Sequence, residues 1–151
     1  TLRYLTFEKA RFGEDRIGVN VDIDEEVEDT LVPAFVIQPL VENAVRHAMG
    51  DEDPLHIDIS VAPEGESMVQ IQVKDDGVGM DEQTAARLFC TQQKAPRTDA
   101  PQGGGAGVAM HNIADRIARF YGPRSSTQVI SSPGAGTSVV LHLDLQKSIL
   151  E

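Results

Sequence analysis

The sequence predicts an α+β fold, a two-layer α/β sandwich in which about three helices lie on one face of a mixed, mostly antiparallel sheet. Segments with the apolar period of a helix alternate along the chain with segments that have the period of a strand. Two pairs of predicted strands are joined by short turns, and such hairpins exclude the purely parallel sheet of a doubly wound dinucleotide fold. The 151 residues, 40% of them hydrophobic, are enough for one domain with one core.

The composition excludes several kinds of protein. A net charge of −11 disfavours a nucleic-acid surface, which needs Lys and Arg to replace phosphate counterions. No apolar run approaches the roughly 18 residues of a membrane span, and the single cysteine, Cys90, excludes an intramolecular disulfide. We therefore expect a cytoplasmic domain that contacts neither nucleic acid nor membrane. Because the chain begins with Thr1 instead of Met, we expect it to be part of a longer protein.

The first elements are the end of a helix and a strand. Apolar residues at helical spacing predict that residues 1–12 are the end of a helix that links to an upstream region, and that residues 13–151 form the domain. Residues 17–23 alternate between apolar and polar side chains, which predicts a half-buried strand. The acidic residues at 24–29 predict a solvated turn.

A long helix and a hairpin follow. Apolar residues recur every three to four positions over residues 35–49, which predicts a helix with one buried face. Residues 55–61 and 68–73 predict two strands, and the Pro-Glu-Gly-Glu segment at 63–66 predicts the turn between them.

The last elements are two helices and a second hairpin. Residues 81–89 predict a short helix with Asp81 as its N-terminal cap. A longer helix is predicted over residues 107–120, ending before a Gly-Pro pair. Strands are predicted over residues 127–131 and 137–143, around a Pro-Gly-Ala-Gly turn.

The segment before the longer helix is rich in glycine. Residues 90–106 have few apolar side chains, so we expect a flexible lid over a ligand. The run Gly-Gly-Gly-Ala-Gly at 103–107 leads into the helix, whose first N–H groups have no internal partner and can bind phosphate. A flexible linker is the alternative. No Lys-Ser/Thr pair follows, so the run is not a P-loop.

Two further segments carry polar groups suited to a nucleotide. Asp75 follows a predicted strand and can accept a hydrogen bond from the amino group of adenine, while Gly77 and Gly79 let the chain turn beside a flat ring. A plain β-turn is the alternative for these glycines. Asn43 lies on the long helix among apolar neighbours, where its amide oxygen can coordinate Mg²⁺ or simply face solvent.

Taken in order with the Gly-Ala-Gly-Thr run at 134–137, these segments resemble the GHKL ATPase family, whose Bergerat-fold pocket uses one asparagine box and several glycine boxes. The resemblance covers nearly the whole chain. It is closest to the ATP-binding catalytic domain of LytS-like sensor histidine kinases, through residues 38–47 (QPLVENAVRH), 112–117 (NIADRI) and 121–122.

The resemblance implies ATP and Mg²⁺ as ligands and assigns roles on the long helix. Asn43 would coordinate Mg²⁺ and Arg46 would neutralise a phosphate, so these two would do the catalytic work. His47 would bind ATP beside them, although packing or a surface position is the alternative for this residue.

The resemblance also assigns the two ends of the nucleotide. Asp75 would read the adenine amino group, Gly77 and Gly79 would shape the adenine site, and Thr137 would support it, with Asp75, through water. The remaining implied ATP-binding positions are Gly103, Gly105, Gly107 and Val108.

Departures from the family pattern bear on the reaction. Hydrolytic and serine-phosphorylating members carry a Glu four residues before the asparagine, where this chain has Pro39. Glu42 lies about 100° from Asn43 around the helix and cannot take over that geometry. Asp76 stands where the family often has Asn, and Ala109 where many members have Gly.

The expected function is therefore that of a sensor histidine kinase. The domain would donate the γ-phosphoryl group of ATP to a histidine on an upstream dimerisation segment outside this sequence, for relay to a response regulator. The full-length protein would be a membrane-anchored homodimer. An ATPase clamp or chaperone-like module and a nucleotide-sensing interaction domain without transfer activity are the alternatives.

Overall fold

The computed structural model describes residues 16–27, 34–48, 53–88 and 105–145. The elements, in chain order, are β1 (Ile17–Ile23), a 3-10 helix (Glu25–Val27), α1 (Ala34–Ala48), β2 (Leu55–Glu64), β3 (Met68–Asp75), α2 (Glu82–Arg87), α3 (Gly105–Tyr121), β4 (Ser126–Ser131) and β5 (Thr137–Asp144). The predicted helix end before residue 13 and residues 90–104 of the predicted lid lie outside the described residues.

The described strands form one five-stranded sheet in the order β1-β2-β3-β5-β4. β1 and β2 are parallel, and the other three neighbouring pairs are antiparallel. Parallel neighbours require a crossover connection, and α1 lies in that connection between β1 and β2. The mixed, mostly antiparallel sheet and both hairpins predicted from the sequence are confirmed.

The core lies on one face of this sheet. Along β2, alternate side chains from Leu55 to Val61 are buried, while His56 and Asp58 between them are exposed on the opposite face. α1 and α3 pack on the buried face and contact each other. Their core side chains are Val36, Leu40, Val41, Ala44, Val45, Met110, Ile113, Ile117 and Tyr121. This arrangement confirms the two-layer sandwich.

Several elements differ from the predictions by a few residues at their ends. α3 begins at Gly105, two residues earlier than its apolar pattern indicates. β2 continues to Glu64 through Pro63, because β1 ends opposite Val61 and, among the described residues, no strand on that side needs the missing N–H. In the described part of the acidic segment, Glu25–Val27 form a 3-10 helix that buries Val27 at 7% exposure, so the prediction of a solvated turn was wrong for this apolar side chain.

The helices agree with the sequence in their other details. Asp81 caps α2, since its Oδ1 accepts a hydrogen bond from the backbone nitrogen of Thr84 at 2.8 Å, and the predicted N-cap is confirmed. Pro39 lies inside α1, where it removes one helical N–H donor. Among the helices in the described ranges, none has both the length and the hydropathy that a bilayer span requires.

Candidate functional site

Strands β3, β5 and β4 carry a row of three polar side chains at one end of the core face. Asp75 of β3 pairs with Thr137 of β5, which pairs in turn with Ser131 of β4. The preceding core-facing row consists of Val73, Val139 and Val129. Asp75 and Thr137 are only 5% and 7% exposed. Burial of polar groups is unfavourable unless they form hydrogen bonds, so their partners determine what this row can bind.

Asp75 is held through one of its two carboxylate oxygens. Its Oδ1 accepts hydrogen bonds from the backbone nitrogens of Gly77, at 3.0 Å, and Thr137, at 3.2 Å. No residue in the described ranges donates to Oδ2. Asp75 therefore has a fixed orientation and one oxygen available to a ligand donor.

Burial also changes the protonation of Asp75. Its removal from water raises the pKa of Asp75 above the ordinary value of 3.8, because the charged form is less well solvated. The hydrogen bonds from Gly77 and Thr137 oppose this effect, and the negative charge of Asp76 adds to it. A raised pKa is common for a carboxylate at a binding site.

Two backbone segments meet behind Asp75 without room for side chains. Gly79 has φ +68°, and a Cβ on it would lie 2.0 Å from the carbonyl oxygen of Ser132. Gly136 has φ +78°, and a Cβ on it would lie 2.0 Å from the carbonyl oxygen of Asp75. The loop after β3 and the turn between β4 and β5 thus pack backbone to backbone. Gly136 was not selected from the sequence as a site residue.

Ser131 connects these two segments and was also missed in the sequence. Its Oγ lies 2.9 Å from the backbone nitrogen of Met80, 2.9 Å from the carbonyl oxygen of Gly136 and 2.8 Å from Oγ1 of Thr137. One signal was present: Ser131 is a polar residue at a position where the alternation of β4 calls for an apolar one. Its three partners depend on the tertiary structure.

Asn43 lies on α1 beside the buried Ala44 and is itself half-buried. Its Oδ1 has no accessible surface, and no donor among the described residues lies within hydrogen-bonding distance. A buried acceptor without a partner costs about 1–3 kcal/mol, which is compensated when a ligand satisfies it.

The donor set around Asn43 fits Mg²⁺ brought in by a nucleotide. Amide oxygen is a suitable ligand for Mg²⁺, which commonly takes one or two protein oxygens and completes its shell with phosphates and water. The described residues contain no group of three His, Cys, Asp or Glu side chains that would hold a metal independently. The amide oxygen of Asn43 has the chemistry of a single protein ligand for such an ion.

The rest of this surface of α1 has a cation but no carboxylate in the position of a general base. Arg46 is exposed one turn after Asn43, and Pro39 stands one turn before it. Glu42 accepts a hydrogen bond at Oε1 from Nε2 of Gln38, at 2.9 Å. The Glu42 carboxylate is therefore engaged along its own side of the helix.

The predicted phosphate-binding residues lie in or before the first turn of α3. Gly105 is the first residue of α3, and Gly107 and Val108 follow within the first turn, where backbone nitrogens lack helical partners. α3 contacts α1, which carries Asn43 and Arg46. Gly103 and the side chain of His47 lie outside the part of the chain that the structure describes.

The chain matches known proteins of one kind. Residues 28–147 match the family described as histidine kinase-, DNA gyrase B-, and HSP90-like ATPase. Sensor protein LytS of Bacillus anthracis is 34% identical over 137 residues, which cover 90% of this chain and 22% of that protein. Sensor histidine kinase/phosphatase LytS of Staphylococcus aureus is 32% identical over 136 residues, covering 89% and 22%. The chain therefore spans about a fifth of the length of these curated relatives.

Solved structures share the architecture. The catalytic domain of histidine kinase ThkA, in a nucleotide-free form, has a TM-score of 0.67 at 17% identity and covers 94% of this chain and 87% of its own. The histidine kinase domain of the blue-light activated histidine kinase from Erythrobacter litoralis has a TM-score of 0.63 at 18% identity, covering 97% and 59%. At these identities the likeness establishes the fold.

Proposed function

Because the chain belongs to the histidine kinase-, DNA gyrase B- and HSP90-like ATPase family, we propose that it binds Mg²⁺-ATP as the catalytic domain of a two-component sensor histidine kinase. Its role is to donate the γ-phosphoryl group to a histidine outside this sequence, for relay to an aspartate of a response regulator. The observation that carries this proposal is the buried Asp75, fixed through Oδ1 and with Oδ2 left for a ligand donor.

Different residues bind the adenine and the phosphates of the nucleotide. Asp75 accepts a hydrogen bond from the adenine amino group, supported by Thr137, while Gly77 and Gly79 shape the loop beside it. The nitrogens at the start of α3, with Gly103, Gly105, Gly107 and Val108, contact the phosphates.

The α1 residues act at the phosphate end. Asn43 holds Mg²⁺, which neutralises and orients the phosphate oxygens. Arg46, one turn along α1, adds positive charge there, and His47 lies next to it in the sequence. Catalysis by these groups consists of positioning and charge neutralisation.

The placement of two histidines supports an acceptor elsewhere. His56 and His142 lie on the face of the sheet opposite the core, because their neighbours along β2 and β5 point inward. Each imidazole is beside a carboxylate, Asp76 for His56 and Glu64 for His142. Neither is on the helix-covered face that carries the Asp75 row, so neither is a suitable acceptor for a phosphoryl group held there.

Pro39 favours phosphoryl transfer over hydrolysis. A clamp or chaperone-like ATPase needs a general base to activate water, and Pro39 has no group that accepts a proton. The acidic neighbour Glu42 is engaged with Gln38. Steady phosphate release that Asn43→Ala abolishes would support the clamp instead.

In this proposal the chain is one domain of a longer protein. Residues 1–12 would connect to the histidine-bearing dimerisation region, residues 13–151 would form the catalytic domain, and residues 90–106 would supply the lid. The full-length protein would act as a homodimer anchored in the membrane, with this domain in the cytoplasm and without contact to nucleic acid.

Binding is tested by calorimetric titration of the chain with ATP in the presence of Mg²⁺. The parent should bind, and Asp75→Asn should weaken binding about tenfold or more, because its amide NH₂ would face the adenine amino group. Asp58→Asn removes an exposed carboxylate from the opposite face and should bind like the parent. A parent chain that gives no binding heat contradicts the proposal.

Transfer is tested with the full-length protein and ATP labelled at the γ-phosphate. Label should appear on a histidine of the upstream segment and be lost in the Asn43→Ala variant. Nucleotide binding without labelled histidine would favour the nucleotide-sensing alternative.

A further inference from the structure

Ser131 is the third member of the polar row formed with Asp75 and Thr137. It stands directly opposite Thr137 in the β4–β5 pair, so both side chains lie on the same face of the sheet. Its Oγ contacts three groups: the backbone nitrogen of Met80, the carbonyl oxygen of Gly136 and Oγ1 of Thr137. These contacts determine the direction of each hydrogen bond in the row.

A serine hydroxyl has one proton to donate and can accept two hydrogen bonds. The backbone nitrogen of Met80 can only donate, and the carbonyl oxygen of Gly136 can only accept. The Ser131 hydroxyl therefore donates its one proton to the carbonyl oxygen of Gly136. The short contact of 2.8 Å to Thr137 is then satisfied only when the Thr137 hydroxyl donates to Ser131.

The reverse arrangement leaves groups unsatisfied. If Ser131 donated to Thr137, the buried Gly136 carbonyl would have no donor among the described residues, and the proton of Thr137 would have no acceptor there. Leaving a buried polar group without a partner costs more free energy than a typical hydrogen bond contributes. The first arrangement, in which each hydroxyl uses its one proton, is therefore preferred.

The consequence is that the side chains of Asp75 and Thr137 can accept hydrogen bonds from a ligand but donate none. The Thr137 hydroxyl already donates its proton to Ser131, and an ionised Asp75 has only acceptor oxygens. A ligand contacting both side chains directly must supply donors. A water bridging both must give each of them one hydrogen, and it then has only a lone pair to offer the base.

We propose that Ser131 is a positioning residue that orients the Thr137 hydroxyl and so makes this site select a purine with a 6-amino group over one with a 6-oxo group. A 6-amino group donates to the acceptors or to the bridging water, whereas a 6-oxo oxygen meets only lone pairs. Without Ser131, the Thr137 hydroxyl is free to donate toward the base. This inference rests on the proposed binding of ATP with its base at Asp75.

The test measures dissociation constants for Mg²⁺-ATP and Mg²⁺-ITP, whose bases carry amino and oxo groups at C6. The parent should prefer ATP by about tenfold or more. Ser131→Ala should reduce that preference by about fivefold, largely by tightening ITP relative to ATP. Ser131→Thr, which keeps a hydroxyl proton, should retain the parent's preference for ATP. Ser138→Ala is the control, since Ser138 lies on the opposite face of the sheet, where its Oγ accepts a hydrogen bond from Gln72.

A double-mutant cycle separates orientation from general support of the fold. Thr137→Val, which keeps the shape of the side chain but not its hydroxyl, should reduce the preference for ATP over ITP as Ser131→Ala does. The double variant should reduce this preference no further, because Ser131 acts through Thr137. Thr137→Val also provides a test if Ser131→Ala does not fold.

Three outcomes overturn the inference, and they show whether the proposed function fails with it. If Ser131→Ala weakens ATP and ITP equally, or Thr137→Val leaves the parent's preference unchanged, Ser131 only supports the loop, and the proposed function stands. If the parent binds neither nucleotide, the proposed function fails and the inference with it.

Discussion

Asp76 accepts two hydrogen bonds from one residue, His56. The backbone nitrogen of His56 donates to Oδ1 at 2.7 Å, and its Nδ1 lies 2.8 Å from Oδ2. In return, the backbone nitrogen of Asp76 donates to the carbonyl oxygen of His56. The carboxylate, which replaces the Asn common in the family, is therefore stabilised by a partner on β2, beside the Asp75 loop.

The stability that Asp76 contributes should depend on pH. Although burial raises the pKa of Asp76, the hydrogen bonds from His56 and the charge of its imidazole outweigh this and hold the pKa below 3.8. A lowered folded pKa means that the stabilisation is complete above 3.8 and is lost as the pH falls through the folded value. Because the pair is exposed, Asp76→Ala should lower the free energy of unfolding by only up to about 1 kcal/mol at neutral pH.

Urea denaturation at about pH 7 and about pH 2.5, well below the carboxylate range, measures this effect. Asp22→Ala, which removes an exposed carboxylate from β1, should change little at either pH. An equal loss for Asp76→Ala at both pH values would contradict the prediction.

ATP binding should weaken on acidification because of Asp75. Its pKa lies above 3.8 through burial, so it gains a proton, and its Oδ2 loses acceptor character, at higher pH than an ordinary aspartate. The effect on folding has the opposite sign to that of Asp76. A raised folded pKa stabilises the fold at low pH, and this contribution is lost as the pH rises through the folded value.

Titrations at a series of pH values should therefore show that the advantage of the parent over Asp75→Asn decreases as the pH falls. Ionisation of the phosphates affects both proteins and cancels in this ratio. A ratio that stays constant down to pH 3.8 would contradict a raised pKa.

Gly79 and Gly136 should not tolerate alanine. A Cβ at either position would lie 2.0 Å from a backbone oxygen, in addition to the strain of a positive φ. We expect Gly136→Ala to lower the free energy of unfolding by about 3 kcal/mol or more, from strain plus displacement of the backbone. Gly134→Ala is the matched control, because its φ is also positive, at +77°, but no atom lies within 4 Å of the added Cβ.

Gly134→Ala should cost only about 1 kcal/mol, the expected strain of the left-handed conformation. Urea denaturation gives both values. Equal costs for the two substitutions would show that the close packing at Gly136 has no energetic effect.

Asn43 should contribute to ligand binding at the expense of stability. Its buried Oδ1 has no partner among the described residues, so replacing the amide removes an unsatisfied polar group. Asn43→Leu should therefore raise the free energy of unfolding of the ligand-free domain by between zero and about 1 kcal/mol. The same variant should lose the Mg²⁺-dependent part of ATP binding. The measurements are denaturation without ligand and calorimetry with and without Mg²⁺.

Asn20→Leu changes an exposed asparagine on β1 and is the control for the substitution itself. It should leave Mg²⁺-dependent binding intact. Marked destabilisation of the ligand-free Asn43→Leu domain would mean that the amide has a structural partner.

Local chemistry along the chain was sufficient to predict most elements. The alternation in β2 and β3, the helical spacing in α1 and the capping residue Asp81 each depend on residues close in sequence, and the structure agrees with them. Val27 is an exception, because its burial depends on contact with a core built from distant segments. The position of Gly105 in α3 likewise differed from its local pattern.

By itself, the sequence predicted the fold class and, through its resemblance to the GHKL family, selected Asp75, Gly77, Gly79 and Thr137 as the expected adenine-binding residues. The tertiary structure alone decided how they meet. Thr137 donates to Asp75 across 62 positions of the chain, and Ser131 and Gly136 join them because β5 lies between β3 and β4. The direction of a hydrogen bond depends on every donor and acceptor around a hydroxyl, and strands distant in sequence supply those groups only after the sheet has formed.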